Sequence, residues 1–316
     1  MRGRGAALAI AMLLASSAGA AAEGIMVTLG TATPGGGFPV YGDAVARTIN
    51  DVDASIEVRT RNTKGSTENV PLLEAGQLDL ALVQGEVAHE ALSGIGRPAT
   101  KLLILAAMYT TPGMFVVRGD QSYRTIADLK GKAVVWGARG SGLVVLARYV
   151  LDGLGRDMER DFQSTYLDRA GDGPAMVQDG RAAALWGGGT GWPGFTTVAR
   201  GPQGARFIAP TADERARIQA KHPFLRTLSI PAGAYPGQAE PIVSVGSWSF
   251  ILARTDLPDE TAYRLARALH RGESALAARL PQGHETTAAN TVAAAPRPDL
   301  IHPGARRYFR ELGLIP

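Results

Sequence analysis

The chain has 316 residues, a formal net charge of +4 and no cysteine. The lack of Cys excludes disulfides, thiolate metal sites, a Cys nucleophile and a lipidated N-terminal Cys. Its Arg residues are scattered among Asp and Glu with no basic run interleaved with aromatics, so a nucleic-acid role finds no support.

Residues 1–22 follow the order of a secretory signal peptide. Arg2 and Arg4 open it, an apolar run from Ala7 to Ala15 follows, and small residues from Ser16 to Ala22 close it. Cleavage after Ala20 or after Ala22 fits that pattern, and the apolar run is short of the ~20 residues that cross a bilayer. Removing Arg2 and Arg4 lowers the charge to +2. The expected location is the periplasm, and the roughly 294 residues left after Ala22 suffice for two lobes.

Met26–Leu29 reads as a buried strand, ended by Thr33-Pro34-Gly35-Gly36-Gly37. A helix should begin near Pro39 with Val40, Ala44, Val45, Thr48 and Ile49 on one face. Ile56–Arg59 is a second strand, a helix runs from about Thr67 to Gly76, and Leu78–Val83 is a third strand. This βαβαβ opening predicts parallel strands with right-handed crossovers. Leu102–Val117 holds Pro112-Gly113 in its middle and reads as a strand, a break and a second strand leaving the first lobe.

A second block repeats the pattern. Ile126–Lys132 is a short helix, Ala133–Trp136 a strand, Gly137–Gly142 a glycine loop and Leu143–Leu151 a helix. Met176–Gln178 lies in a further helix, and Ala182–Trp186 is a strand that ends in Gly187-Gly188-Gly189. Ile242–Ala253 should cross back, and Thr261–Leu280 reads as one strong helix. The expected architecture is α/β, with two lobes joined by two crossing strands. Residues 23–112 and 246–316 form lobe 1, and 113–245 form lobe 2.

Three glycine loops stand between a strand and a helix start: Gly35–Gly37, Gly65-Ser66 and Gly140–Gly142. Helix N-termini expose free N–H groups and a partial positive charge, and Gly lets backbone approach a ligand. One such loop is usually a turn with a helix cap. Three of them, split across two lobes, point to a shared anion-binding cleft. Arg139, inside the third loop, could pair with a carboxylate in a bidentate way or lie exposed in solvent. Of Trp136, Trp186, Trp192 and Trp248, one or two should wall the cleft and the rest fill the lobe cores. Trp186, Gly188 and Trp248 join the candidate site.

Other motifs weigh less. Gly189-Thr-Gly-Trp-Pro-Gly194 matches G-x-G-x-x-G, yet Trp192 and Pro193 suit a dinucleotide-binding helix start poorly. Glu86-x-x-His89 and His270-x-x-Glu273 lack further ligands, so no metal and no cofactor are expected. An exported hydrolase using Ser141, a transferase on the same scaffold, or a ligand sensor for a signalling protein are the alternatives to a binding protein. No catalytic residue is assigned.

Seven motifs in order resemble the TAXI-type solute receptors of tripartite ATP-independent periplasmic (TRAP) transporters. They are Gly35-Gly-Gly-Phe-Pro-Val-Tyr-Gly42, Gly65-Ser-Thr-Glu-Asn69, Gly76–Gln84, Ile126–Lys132, Gly137–Gly142, Ile230–Gln238 and His302–Gly313. The resemblance covers almost all of the mature chain. It implies a two-lobed periplasmic-binding-protein fold (type II-like) and a small carboxylate ligand, often glutamate or a 2-oxo dicarboxylate. It also implies a TRAP membrane permease as partner, no enzymatic turnover and a monomeric receptor. By the same resemblance the ligand would meet Gly36, Gly37, Phe38, Ser66, Thr67, Asn69, Gln84 and Tyr109 of lobe 1. Arg139, Ser141 and Gly142 would come from lobe 2. Phe38 stands where the family usually has Tyr, Arg139 where Pro is usual, and Trp186-Gly-Gly-Gly replaces a less bulky stretch. These departures favour a carboxylate with an apolar or aromatic body.

Overall fold

The computed structural model describes residues 24–316, so the segment read as a signal peptide lies outside the described residues. Strands β1 (Ile25–Gly30), β2 (Ile56–Arg61) and β3 (Leu80–Val83) are parallel in the order β2-β1-β3. Each is followed by a helix: α1 (Gly37–Val52), α2 (Ser66–Glu74) and α3 (Gly85–Ser93). Crossover helices cover both sheet faces, which is why β3 is buried along its whole length.

The chain then enters β4 (Leu103–Arg118), one continuous strand. The break expected at Pro112-Gly113 does not occur. Proline lacks only a donor, and here its carbonyl still accepts from the Gly189 amide at 3.1 Å while Gly246 stands opposite it on the return strand. Gly113 is required by packing, since a Cβ there would lie 2.6 Å from the Trp186 ring.

Beyond β4 come β5 (Ala133–Ala138), α4 (Gly142–Gly153), α5 (Met158–Asp161), β6 (Gln163–Leu167), α6 (Gly173–Gln178), β7 (Ala184–Gly188) and α7 (Pro193–Ala199). Next are β8 (Ala205–Ile208), α8 (Ala212–Lys221) and β9 (Arg226–Ile230). Strands β6, β8 and β9 have no counterpart in the sequence reading. All three carry polar or charged residues, such as Gln163-Ser-Thr165 and Arg226-Thr227, that hide an apolar pattern.

Strand β10 (Ile242–Ala253) returns antiparallel along β4, from Gly246 opposite Pro112 to Ala253 opposite Leu103. Because β10 also pairs with β3 and β9, and β4 with β7 and β8, these two long strands belong to both lobes. The main path of strands runs β2-β1-β3-β10-β4-β7-β5-β6. The chain ends with α9 (Asp259–Arg271), α10 (Glu273–Arg279), α11 (Ala288–Ala294) and α12 (Pro303–Glu311), packed on the first lobe. The single helix expected over 261–280 is divided at Gly272, where a Cβ would meet the Thr48 methyl of α1 at 2.4 Å.

Each lobe has its own core. Leu29, Ile49, Ile251, Leu265 and Phe309 are buried in the first, and Phe115, Trp136, Leu146 and Trp186 in the second. Along α1 the buried face holds Ala44, Val45, Thr48 and Ile49 as expected, but Val40 is 55% exposed. It lies in the first turn, where Tyr41 takes the inward direction and bonds the Thr286 hydroxyl at 2.8 Å.

Candidate functional site

Three helices aim their N-termini at one space between the lobes. Neither Gly36, before α1, nor Gly65, before α2, offers a capping side chain. The first amides of these helices, Gly37 and Phe38 in α1 and Ser66 in α2, therefore keep free N–H groups. On the opposite side the Ser141 hydroxyl caps α4 by accepting from Leu143 N at 3.2 Å, which leaves the Gly142 amide free. The space between them has a volume of about 590 Å³, counted out to its open mouth.

Thr33, Phe38, Gln84 and Tyr109 line the first-lobe side, and Ser141, Leu143, Ala170 and Trp192 the other. Among the described residues no acidic side chain and no Arg lines the cavity, and Lys64, which does, is exposed. Positive potential here comes from the helix ends, with Lys64 as the one cationic side chain beside them. Among the described residues the Tyr109 hydroxyl has no hydrogen-bond partner. Burial raises its pKa far above the ordinary range, so it remains a neutral donor.

The lobes are in contact around the cavity. Gly140 O accepts from Thr67 N at 3.2 Å and from the Thr67 hydroxyl at 3.1 Å. Ala170 N donates to the Thr33 hydroxyl at 3.2 Å, and Gly171 N to Pro34 O at 3.4 Å. Close approach demands Gly at these points. A Cβ on Gly35 would lie 2.4 Å from Gly171 Cα, and one on Gly65 would lie 2.7 Å from Gly140 O.

Of the residues singled out from the sequence, Gly36, Gly37, Phe38, Ser66, Gln84, Tyr109, Ser141, Gly142 and Gly188 surround this cavity. Five others do not face it. Thr67 is exposed and serves the contact with Gly140. Asn69 sits behind the wall, donating to Thr31 O at 2.8 Å and Leu82 O at 2.9 Å. Arg139 is exposed; its amide extends the pairing with Leu167 at 3.2 Å, and its guanidinium lies 5.0 Å from the Tyr166 ring centre. That stacking on the neighbouring strand turns the charge away from the cavity. Trp186 is core, donating to Leu143 O at 2.8 Å and meeting Phe115 edge-on. Trp248 packs with the group that holds Val83, Val87 and Val145.

Sequence reasoning did not assign Thr33, Leu143 or Ala170 to the site, and left Trp192 as one of four candidate walls. Trp192 proves to be the aromatic wall: its Cδ1 would lie 3.2 Å from a Cβ on Gly37. The signal was the Trp-Pro pair after a glycine run. Pro193 at the first position of α7 makes Trp192 the residue before the helix.

The members of the two acidic–histidine pairs have other partners. Glu86 is buried while His89 stacks on Phe224 at 4.0 Å, and His270 bonds the Tyr308 hydroxyl at 2.8 Å. Among the described residues no group of three or more metal-binding side chains occurs.

Two α/β lobes joined by two shared strands, with helix N-termini around a cavity between them, define the periplasmic-binding-protein fold. Solved structures bear this out. The periplasmic aliphatic sulphonate binding protein SsuA from Escherichia coli superposes with a TM-score of 0.51 at 17% identity, over 92% of this chain and 84% of that one. A TctC solute binding protein from Polaromonas gives 0.51 at 15% identity, over 91% and 98%. The structure of a periplasmic transporter gives 0.54 at 14% identity, over 83% and 87%. Residues 29–313 match the NMT1-like family, and the chain belongs to it.

Proposed function

We propose that this protein is a solute receptor, exported to the periplasm, that captures a small carboxylate between its lobes and passes it to a membrane permease. The observation that carries this reading is the set of free amides at the starts of α1, α2 and α4, drawn from both lobes onto one cavity. Such a set binds an anion without a side-chain cation. Phe38, Leu143 and Trp192 would cover the apolar body of the ligand. SsuA is a sulphonate binder by its description, and an anionic ligand fits the same scaffold.

The seven ordered motifs support a TRAP permease of the TAXI type as the partner, with the receptor acting as a monomer. The lobes, 23–112 with 246–316 and 113–245, would open and close about the stretch of β4 and β10 near Pro112 and Gly246. The joined form described above would then be the form that docks on the permease.

A thermal-shift screen of the mature protein against mono- and dicarboxylates, amino acids and aromatic acids tests the reading. A micromolar ligand at millimolar concentration should add ~4 kcal/mol to stability. The bound acid should be recovered unchanged after incubation. A product in place of the added acid would establish the enzyme alternative, and the absence of any shift would remove the carboxylate.

A further inference from the structure

Gln84 is the residue between β3 and α3, and its amide N donates to the Ser66 hydroxyl at 3.0 Å. Its side chain is nearly buried at the cavity wall, with one acceptor end and one donor end. Which end faces the ligand is decided from behind by Glu86, a fully buried carboxyl group. Glu86 Oε1 accepts from the Ser247 hydroxyl of β10 at 2.7 Å, and Oε2 accepts from Gln84 Nε2 at 3.0 Å.

An ionised carboxylate has only lone pairs to offer, so Gln84 must turn its NH₂ towards it. The carbonyl oxygen Oε1 is left towards the cavity beside Gly142, where a Cβ would lie 3.1 Å from it. The other groups free at this wall include the amides of the helix starts and the hydroxyls of Ser66 and Ser141. Both hydroxyl oxygens already accept a backbone N–H and keep their own protons to give.

We propose that Glu86 is a positioning residue that presents the Gln84 carbonyl to the ligand, so that the site selects carboxylates bearing a hydroxyl over their oxo counterparts. This deepens the receptor reading above and rests on it. A 2-hydroxy acid would give its carboxylate to the helix ends and its O–H to Gln84 Oε1. The matching 2-oxo acid sets an oxygen lone pair against that carbonyl and leaves a buried acceptor unpaired. An ammonium group is a poorer donor here, because among the described residues no acidic side chain lines the cavity to offset its lost hydration.

The same geometry contains a proton switch. Burial pushes the Glu86 carboxyl up to about 7, with a further small push from Glu90 one turn along α3. Glu90 is itself held by Arg148 and Tyr149 of α4, while β10 presents Ser247. Once protonated, Glu86 can donate to Gln84, which then turns its NH₂ into the cavity. Preference should move towards the oxo acid.

Calorimetry on the mature protein with lactate and pyruvate, and with 2-hydroxyglutarate and 2-oxoglutarate, tests this at pH 8.5 and 5.5. Both enantiomers of each hydroxy acid are needed. The wild type should favour one hydroxy enantiomer by ~10-fold or more at pH 8.5 and lose or reverse that preference at pH 5.5. Glu86→Gln, which can donate at either pH, should show the low-pH ratio throughout, and Gln84→Met should show no preference. A residue that only supported the fold would lower both affinities together. Equal binding of hydroxy and oxo acids by the wild type at pH 8.5 overturns the inference alone, as does a pH-independent preference. Failure of the wild type to bind either member of either pair would remove the inference, and the screen above then decides the receptor reading separately. The wild-type pH comparison stands even where Glu86→Gln does not fold.

Discussion

Gly140→Ala separates closure of the lobes from the integrity of either lobe. Gly140 does not occupy the left-handed region, so alanine fits its backbone without strain. In the joined form, however, the new Cβ would stand 2.6 Å from Lys64 O, 2.8 Å from Lys64 Cβ and 3.0 Å from Lys64 C, against an ordinary limit of 3.4 Å. Two of these atoms are backbone and cannot rotate away. The loops must part by roughly 1 Å, which loosens both hydrogen bonds from Thr67 to Gly140 O. At about 0.5–1.5 kcal/mol each, the joined form loses about 1–3 kcal/mol relative to an open one. Affinity for the best carboxylate should fall by about 5- to 150-fold, since ligand binding must now supply that difference. The melting temperature without ligand should hardly move. Gly171→Ala is the matched control: its Cβ would lie 3.4 Å from Gly35 Cα, an ordinary contact, and it should bind like the wild type. Calorimetry paired with small-angle scattering reads both quantities. Wild-type affinity and compaction in Gly140→Ala would refute the reasoning.

Three further predictions rest on particular groups. Tyr109→Phe removes a cavity-lining hydroxyl that has no partner among the described residues, so the melting temperature should hold or rise while ligand affinity drops about 3- to 10-fold; an unchanged affinity would place the ligand elsewhere. Arg139→Ala should leave affinity within about twofold at moderate salt, because its guanidinium stacks on Tyr166, outside the cavity; loss of binding would show that this side chain swings inward. Glu86→Gln should change stability with pH in one direction. A carboxyl raised from 4.5 to about 7 contributes stability that is complete below about 4.5 and lost as pH rises through 7, a difference of about 3 kcal/mol. Gln has no proton to lose, so urea unfolding should show the variant gaining on the wild type by up to that amount between pH 5 and pH 8.5, and a pH-independent difference would contradict it.

Much of the site was legible because its chemistry is local. A strand, a glycine loop and a helix start lie within about ten residues of one another, and each announces itself by apolar runs and Gly placement. Gly36, Ser66 and Gly142 came out of that pattern. The aromatic wall was harder to read, since Trp136, Trp186, Trp192 and Trp248 all stand near strand ends. Only packing separates Trp186, whose indole reaches Leu143 O inside the second lobe, from Trp192, which faces Gly37 across the cleft.

By itself, then, the sequence determined the α/β order, the return of β10 and the three helix starts, because those depend on periodicity and turn chemistry along neighbouring residues. Tertiary structure decided the rest. Pro112 could sit inside β4 because partners distant in the chain use its carbonyl and face its missing donor. Arg139 turned outward because β6 places Tyr166 beside it. The cavity-facing end of Gln84 depends on Glu86, whose second oxygen is held by Ser247, 161 residues away. Such choices are set by contacts between distant segments, and no local pattern of residues encodes them.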